Sequence, residues 1–120
     1  MNRGEILVRV AKTDVTFALR DGLWVGKCLI CNGPIAFDPR TGEGATLEHI
    51  RARGRGGSHA DLANLAVVHG RCNHEKGRRW DPRRRRSEAD YLAFIDRLLA
   101  KRRQRWREAG APMPPSHDHS

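Results

Sequence analysis

Residues 28–31 read CLIC and residues 69–72 read HGRC, and these two short stretches decide the fold of the chain. Each stretch places two metal-binding side chains three positions apart, and the two pairs lie far from each other in the sequence. A structural zinc ion takes four cysteine or histidine ligands in a tetrahedron, which usually arrive as two close pairs from distant segments. The spacing therefore predicts one structural zinc site with the ligands Cys28, Cys31, His69 and Cys72.

Two other interpretations of these residues are open. The CxxC pair has the spacing of a redox motif, but the long βαβ pattern that accompanies such motifs does not surround it. His69 could be a surface histidine and Cys72 a small buried apolar residue. The length favours zinc, because 120 residues form one domain and small domains bury a low fraction of their surface. A metal ion is a common source of stability at this size.

The charge balance predicts a polyanionic partner. The chain has 23 Lys and Arg residues against 14 Asp and Glu residues, a net charge of +9. The basic excess concentrates in residues 78–107, and a field of this sign attracts nucleic acid. No apolar run approaches the roughly 18 residues that span a bilayer, and the N-terminus does not resemble a signal peptide. We expect no membrane partner and a cytoplasmic protein.

Local patterns predict a small α+β fold. Residues 13–20 favour a short helix that ends at Asp21-Gly22, although a strand also fits Val15-Thr16-Phe17. Residues 45–50 and 65–69 are short and compatible with β-structure, and a long glycine-rich loop joins them. Residues 73–80 favour a helix, which Pro82 ends.

The C-terminal part carries the clearest helix signal. Ser87 and Asp90 form an N-cap pattern, and an apolar face at helical spacing follows: Tyr91, Leu92, Phe94, Ile95, Leu98 and Leu99. We expect this helix either to dock by its apolar face and present Arg102, Arg103 and Arg105 to a nucleic acid backbone, or to form a homodimer. The proline-containing end, residues 110–120, predicts a disordered tail.

Residues 28–77 as a whole resemble the HNH endonuclease family. The resemblance rests on motifs at matching places: Glu48-His49, Gly56-Gly57, Asn64-Leu65, and Asn73 with Lys76-Gly77 directly after the last cysteine. It implies a zinc-stapled ββα-metal core over residues 23–82. A helical N-terminal lead-in (1–22) and a basic linker with an amphipathic helix (83–109) flank that core. Family members often have aspartate in place of Glu48 and cysteine in place of His69.

The motif residues suit phosphodiester hydrolysis. Imidazole has a reference pKa of about 6.5, so His49 can accept a proton from water near neutral pH. The carboxylate of Glu48 and the amide oxygen of Asn73 are hard donors for Mg²⁺ or Mn²⁺. The resemblance implies that Asn64 orients the catalytic histidine through hydrogen bonds within the loop. His74 is a competing candidate for the divalent ion, and simple exposure is its alternative.

The cations near these motifs are candidates for phosphate contacts. Contacts of this kind position a substrate without reading its sequence. The predicted nucleic-acid-binding residues are Arg51, Arg53, Arg55, Lys76, Arg78 and Arg79.

The sequence thus predicts a metal-dependent endonuclease that acts on DNA, with RNA as another substrate, in a prokaryotic or phage-encoded setting. The alternatives are a non-catalytic zinc module that binds nucleic acid and an assembly component with a phage packaging partner.

Overall fold

The computed structural model describes residues 1–51, 61–80 and 87–108 and has the expected α+β fold class. The predicted glycine-rich loop, the basic run 83–86 and the tail lie outside the described residues, and so do the predicted nucleic-acid contacts Arg53 and Arg55. In chain order the elements are helix α1 (Arg3–Lys12), strands β1 (Ala18–Arg20), β2 (Leu23–Lys27), β3 (Pro34–Phe37) and β4 (Thr46–His49), a 3₁₀ turn (Leu62–Asn64), strand β5 (Leu65–Val68), and helices α2 (Gly70–Arg79) and α3 (Glu88–Gln104).

The described strands form two antiparallel sheets. The first has the order β1-β2-β3, with Leu19 opposite Trp24 and Trp24 opposite Phe37. The second pairs β4 with β5, and its register sets His49 opposite Leu65. Helix α2 follows β5 after a single residue, so strand, strand and helix form one ββα unit, as predicted.

Strand β5 lies between two hydrophobic clusters. Leu65 and Val67 belong to the cluster that α1 and the three-stranded sheet form. Ala66 and Val68 belong to a second cluster, which includes Tyr91, Ile95 and Leu98 of α3. Successive side chains of a strand point to opposite faces, so a continuous apolar run is what a strand covered on both faces requires.

The helix predicted for residues 13–20 is wrong. Residues Ala18–Arg20 form strand β1, and the N-terminal helix lies earlier, at Arg3–Lys12. Asp21 (φ 50°) and Gly22 (φ 82°) both have positive φ, as a type I′ hairpin turn requires. The Asp-Gly pair therefore joins β1 to β2 and does not end a helix. Helix α1 begins at Asn2, whose Oδ1 accepts a hydrogen bond from the Glu5 amide at 2.9 Å.

The C-terminal helix forms as predicted. The Ser87 Oγ accepts a hydrogen bond from the Asp90 amide at 3.0 Å, and the buried face of α3 includes Tyr91, Ile95 and Leu98. Helix α2 begins at Gly70, three residues before the predicted start. None of the helices in the described ranges has the length and apolar character needed to cross a bilayer.

Candidate active site

The four predicted zinc ligands converge at the start of α2. Their donor atoms all lie within 4.8 Å of one another. The His69 Nδ1 lies 3.4 Å from the Cys31 Sγ and 3.7 Å from the Cys72 Sγ. Tetrahedral zinc with Zn–S bonds of about 2.3 Å and Zn–N bonds of about 2.0 Å separates sulfur and nitrogen by about 3.5 Å. The donor set therefore fits zinc.

Hydrogen bonds around the cluster orient its ligands. The His69 Nε2 lies 2.9 Å from the Pro34 carbonyl oxygen and donates to it, which leaves Nδ1 as the metal-binding nitrogen. The backbone amide of His69 donates to the Cys28 Sγ at 3.4 Å, and the amide of Gly33 donates to the Cys31 Sγ at 3.3 Å. These bonds fix the tautomer of His69 and the directions of two sulfur atoms.

The thiols affect each other's protonation. The backbone N–H of Gly33 is the main cause that lowers the pKa of Cys31, to about 7. Burial, followed by the charge of Cys28, raises the pKa of Cys72 to about 12. Three thiolates cannot share so small a volume unless a cation compensates them. Zinc would supply that charge and deprotonate its ligands, which is the usual coupling between metal binding and thiol ionisation.

A second polar cluster lies between β4 and α2. Glu48 on β4 is 8% exposed, and its Oε2 lies 3.1 Å from the Lys76 Nζ. Asn73 lies on the same turn of α2, and in one orientation its amide nitrogen donates to the Glu48 Oε2 at 2.9 Å and to Oε1 at 3.2 Å. The opposite orientation places the amide oxygen against the carboxylate, an arrangement that a shared cation would satisfy. Glu48 and Asn73 are thus in contact.

Burial has a direct effect on the carboxylate. Desolvation raises the pKa of Glu48, and the charge and hydrogen bond of Lys76 oppose that rise. The ion pair is well shielded, because the side chains of Lys76 and Glu48 are each 10% exposed. The sequence did not predict this pairing, since Lys76 was assigned to phosphate contacts. Lys76 is three residues past Asn73 on the same helix, and that spacing is the signal that could have revealed it.

His49 and Asn64 lie at the end of the β4–β5 pair that is away from the zinc cluster, and His49 directly follows Glu48. His49 is half-buried and is the last residue of β4, so the regular alternation that would direct Glu48 and His49 to opposite faces stops there. Asn64 is buried and binds the backbone of Arg51, two residues after His49. Its Oδ1 accepts a hydrogen bond from the Arg51 amide at 2.8 Å, and its Nδ2 donates to the Arg51 carbonyl at 3.1 Å. The Ile50 amide also donates to the Asn64 carbonyl, at 2.8 Å.

The described cations predicted to bind nucleic acid have acidic neighbours or are exposed. Arg51 lies 4.0 Å from Asp96, and Arg78 lies 2.9 Å from Glu75. Arg79 is exposed at the end of α2, and so is His74 on the same helix.

The prediction that α3 presents Arg102 to nucleic acid is wrong. Arg102 is 1% exposed, whereas Arg103 is exposed. Arg105 is half-buried and donates to the Lys27 carbonyl at 3.2 Å and to the Asn32 side chain. The reason is positional: Arg102 continues the buried stripe of α3 at helical spacing after Leu98, and this spacing could have predicted its burial.

Lys101 is a further contact that the sequence did not suggest. Its Nζ donates to the Leu29 carbonyl at 2.5 Å and to the Asn32 Oδ1 at 3.2 Å. Both acceptors belong to the turn that carries Cys28 and Cys31. The C-terminal end of α3 therefore supports this turn: Lys101 and Arg105 donate to it, whereas Arg103 is exposed.

The β4–β5 pair and α2 form a ββα unit that is joined to a cluster of three cysteines and one histidine. This unit also carries a carboxylate, a histidine and an asparagine, and the combination is typical of the ββα-metal fold. Residues 28–79 match the family model described as HNH endonuclease, and this part of the chain is an HNH domain. The resemblance seen in the sequence is thereby confirmed. The match supports a nuclease-type function and metal binding. No curated protein and no solved structure gives a significant match.

Proposed function

We propose that this protein is a metal-dependent endonuclease that hydrolyses phosphodiester bonds in DNA. His49 is the general base, and Glu48 and Asn73 hold a divalent ion, Mg²⁺ or Mn²⁺. The observation that supports this most is the contact between Glu48 and Asn73, whose side chains come from different elements: in one orientation the Asn73 amide nitrogen donates to the Glu48 Oε2 at 2.9 Å, near the end of β4. Nucleic acid as the substrate class agrees with the HNH match and the net charge of +9.

The residues divide the chemistry between them. A divalent ion bound at Glu48 would neutralise charge on the scissile phosphate and on the leaving oxygen. His49, at the strand end, takes the proton of the attacking water through its ring nitrogen. Asn73 contributes its amide oxygen when the amide turns that atom towards the carboxylate. Lys76 stabilises the ionised form of Glu48, which is the form that binds a cation.

Asn64 acts on the position of His49. Its side chain and its carbonyl fix the backbone of Arg51 and Ile50 directly after the histidine. A general base must be held to within a fraction of an ångström of its productive place. The three hydrogen bonds from one buried residue supply that restraint.

The test is cleavage of plasmid DNA with Mg²⁺, Mn²⁺ or Ni²⁺, comparing the wild type with His49→Ala. We expect His49→Ala to lower the cleavage rate by about 10²- to 10⁴-fold, the contribution typical of a general base. Zinc content and melting temperature should not change. His117→Ala, a histidine outside the HNH domain, is the matched control and should cleave like the wild type. Equal rates for His49→Ala and wild type would reject the assignment.

A non-catalytic zinc module that binds nucleic acid is the second candidate. The ion pair of Lys76 with Glu48 favours it, because it satisfies the carboxylate without a metal. Intact DNA under every metal condition, together with salt-dependent DNA binding, would support this candidate. Cleavage that appears only with a partner protein would favour a packaging role, and equal cleavage of single-stranded RNA would extend the substrate class.

A further inference from the structure

Arg102 of α3 is the largest fully buried side chain among the described residues, with 1% of its surface exposed. It lies outside the segment that matches the HNH family. Its guanidinium donates in three directions: Nε to the Leu65 carbonyl at 2.8 Å, Nη1 to the Thr13 carbonyl at 3.1 Å, and Nη2 to the Leu62 carbonyl at 3.2 Å. Nη2 also donates to the Thr13 hydroxyl. One side chain therefore ties α3 to two other segments.

The acceptors are backbone carbonyls and one hydroxyl. None of the ion pairs found in the described residues includes Arg102, and desolvation lowers its pKa while the charge of Asp14 opposes that change. A buried cation is expensive, and an apolar residue of similar volume often stabilises a core as well or better. A guanidinium can nevertheless hold several oxygen acceptors at fixed positions at once, because its N–H donors form a rigid, planar group.

Two of these acceptors flank Asn64. Leu62 begins the 3₁₀ turn and Leu65 follows it, so Arg102 holds the turn at both ends. Asn64 in turn binds the backbone of Arg51 and Ile50. Leu65 is also the cross-strand partner of His49. A short series of hydrogen bonds thus connects Arg102 to the backbone that directly follows the proposed general base.

We propose that Arg102 is a positioning residue for the nuclease site: it fixes the 3₁₀ turn so that Asn64 can hold the backbone that follows His49. This inference rests on the proposed function as far as rates are concerned. Helix α3 therefore contributes to the geometry of the catalytic site through Arg102. The positional effect also has a readout that does not depend on cleavage.

The first measurement is steady-state cleavage by Arg102→Met, which keeps the aliphatic length and removes all the donors. Rates are taken per zinc-loaded, folded molecule. We expect kcat to fall about tenfold or more while KM stays within about twofold, because the loss affects the base and not substrate binding. The matched control is Arg97→Met, an exposed arginine on the same helix that loses the same charge. It should retain wild-type kcat.

Arg102→Lys separates charge from geometry. A lysine keeps the positive charge but has a single nitrogen, which cannot reach carbonyls on two segments. We expect its kcat to remain within about threefold of the Arg102→Met value. Wild-type kcat in Arg102→Lys would overturn the proposal, because the charge alone would then be sufficient.

The second measurement is amide hydrogen exchange by NMR in metal-matched samples. Exchange at the Ile50 and Arg51 amides should accelerate at least about tenfold in Arg102→Met, relative to the amides of β2. If the wild type does not cleave DNA, the proposed function fails and this experiment still tests Arg102. Unchanged protection at both amides would overturn the positioning role.

A milder variant covers the case in which Arg102→Met does not fold. Thr13→Val removes one acceptor of the guanidinium and keeps the shape of a fully buried residue. It should show the same pattern on a smaller scale, with kcat lowered about threefold and faster exchange at Arg51. Wild-type values for both quantities would contradict the proposal.

Discussion

The zinc cluster and the Glu48–Asn73 cluster belong to the same ββα unit, but they are built in opposite ways. The zinc cluster brings four donors together within 4.8 Å, and a backbone carbonyl orients its histidine. The Glu48–Asn73 cluster has two oxygen-donating side chains and an internal cation, Lys76. Structural metal sites are closed by protein ligands, whereas catalytic sites keep positions open. The first site should therefore control folding, and the second should control chemistry.

The largest effect on stability should come from removing a ligand of the zinc cluster. Cys28 is fully buried in the second hydrophobic cluster, and Cys28→Ser replaces a zinc ligand with a weak one. A structural zinc ion contributes on the order of 10 kcal/mol to small domains, so we expect loss of cooperative unfolding and of bound zinc. Circular dichroism during heating and zinc determination by mass spectrometry measure both. A chelator should have the same effect on the wild type.

Ala66→Ser is the control for the zinc prediction. It places the same hydroxyl in the same cluster at a residue that is 2% exposed, without touching a ligand. It should cost about 1–3 kcal/mol and leave zinc stoichiometry unchanged. If Cys28→Ser unfolds no earlier than Ala66→Ser, the zinc cluster does not support the fold.

A smaller effect, on Mn²⁺ binding and cleavage and not on folding, should follow from changing the Glu48–Asn73 cluster. Glu48→Gln keeps the size of the side chain and removes the charge that attracts a divalent ion. We expect weaker Mn²⁺ binding, measured by electron paramagnetic resonance, and a cleavage rate lower by roughly 10²-fold. Zinc content should not change, because no zinc ligand is affected. Glu75→Gln, an exposed glutamate on α2 that pairs with Arg78, is the matched control.

The same contrast explains how much the sequence could predict. The zinc ligands were predictable because CxxC and HxxC are local spacings of residue types with few other uses in such pairs. The expected contact of Glu48 with Asn73 came from the family resemblance, and local patterns alone do not contain it. Lys76 was not assigned to Glu48, because a long flexible cation on a helix can face solvent or protein. Its spacing from Asn73 was the one local indication of the side that it faces.

The misread regions have equally specific causes. Asp21-Gly22 suits a helix end and a type I′ turn alike, and the three-residue strand β1 was too short to decide between them. Arg102 was assigned from its charge, although its position on the buried stripe of α3 was the stronger signal. The first error thus comes from a turn signal that two structures share, and the second from judging a residue by its type where its spacing carried more information.

The smallest effect on stability should come from replacing Lys76, and its response to Mn²⁺ tests whether the divalent ion binds at Glu48. Lys76→Met removes the cation that compensates a carboxylate buried to 8% exposure. Leaving a buried charge unpaired costs about 2 kcal/mol, so without Mn²⁺ the zinc-loaded variant should melt several degrees earlier than the zinc-loaded wild type. Saturating Mn²⁺ should recover most of that loss, because the ion then compensates Glu48. The wild type should gain less from Mn²⁺.

Arg78→Met is the control for this prediction. It removes an exposed cation from the same helix and should shift stability by less than about 0.5 kcal/mol, with or without Mn²⁺. Equal Mn²⁺ responses in Lys76→Met and wild type would mean that the divalent ion binds elsewhere.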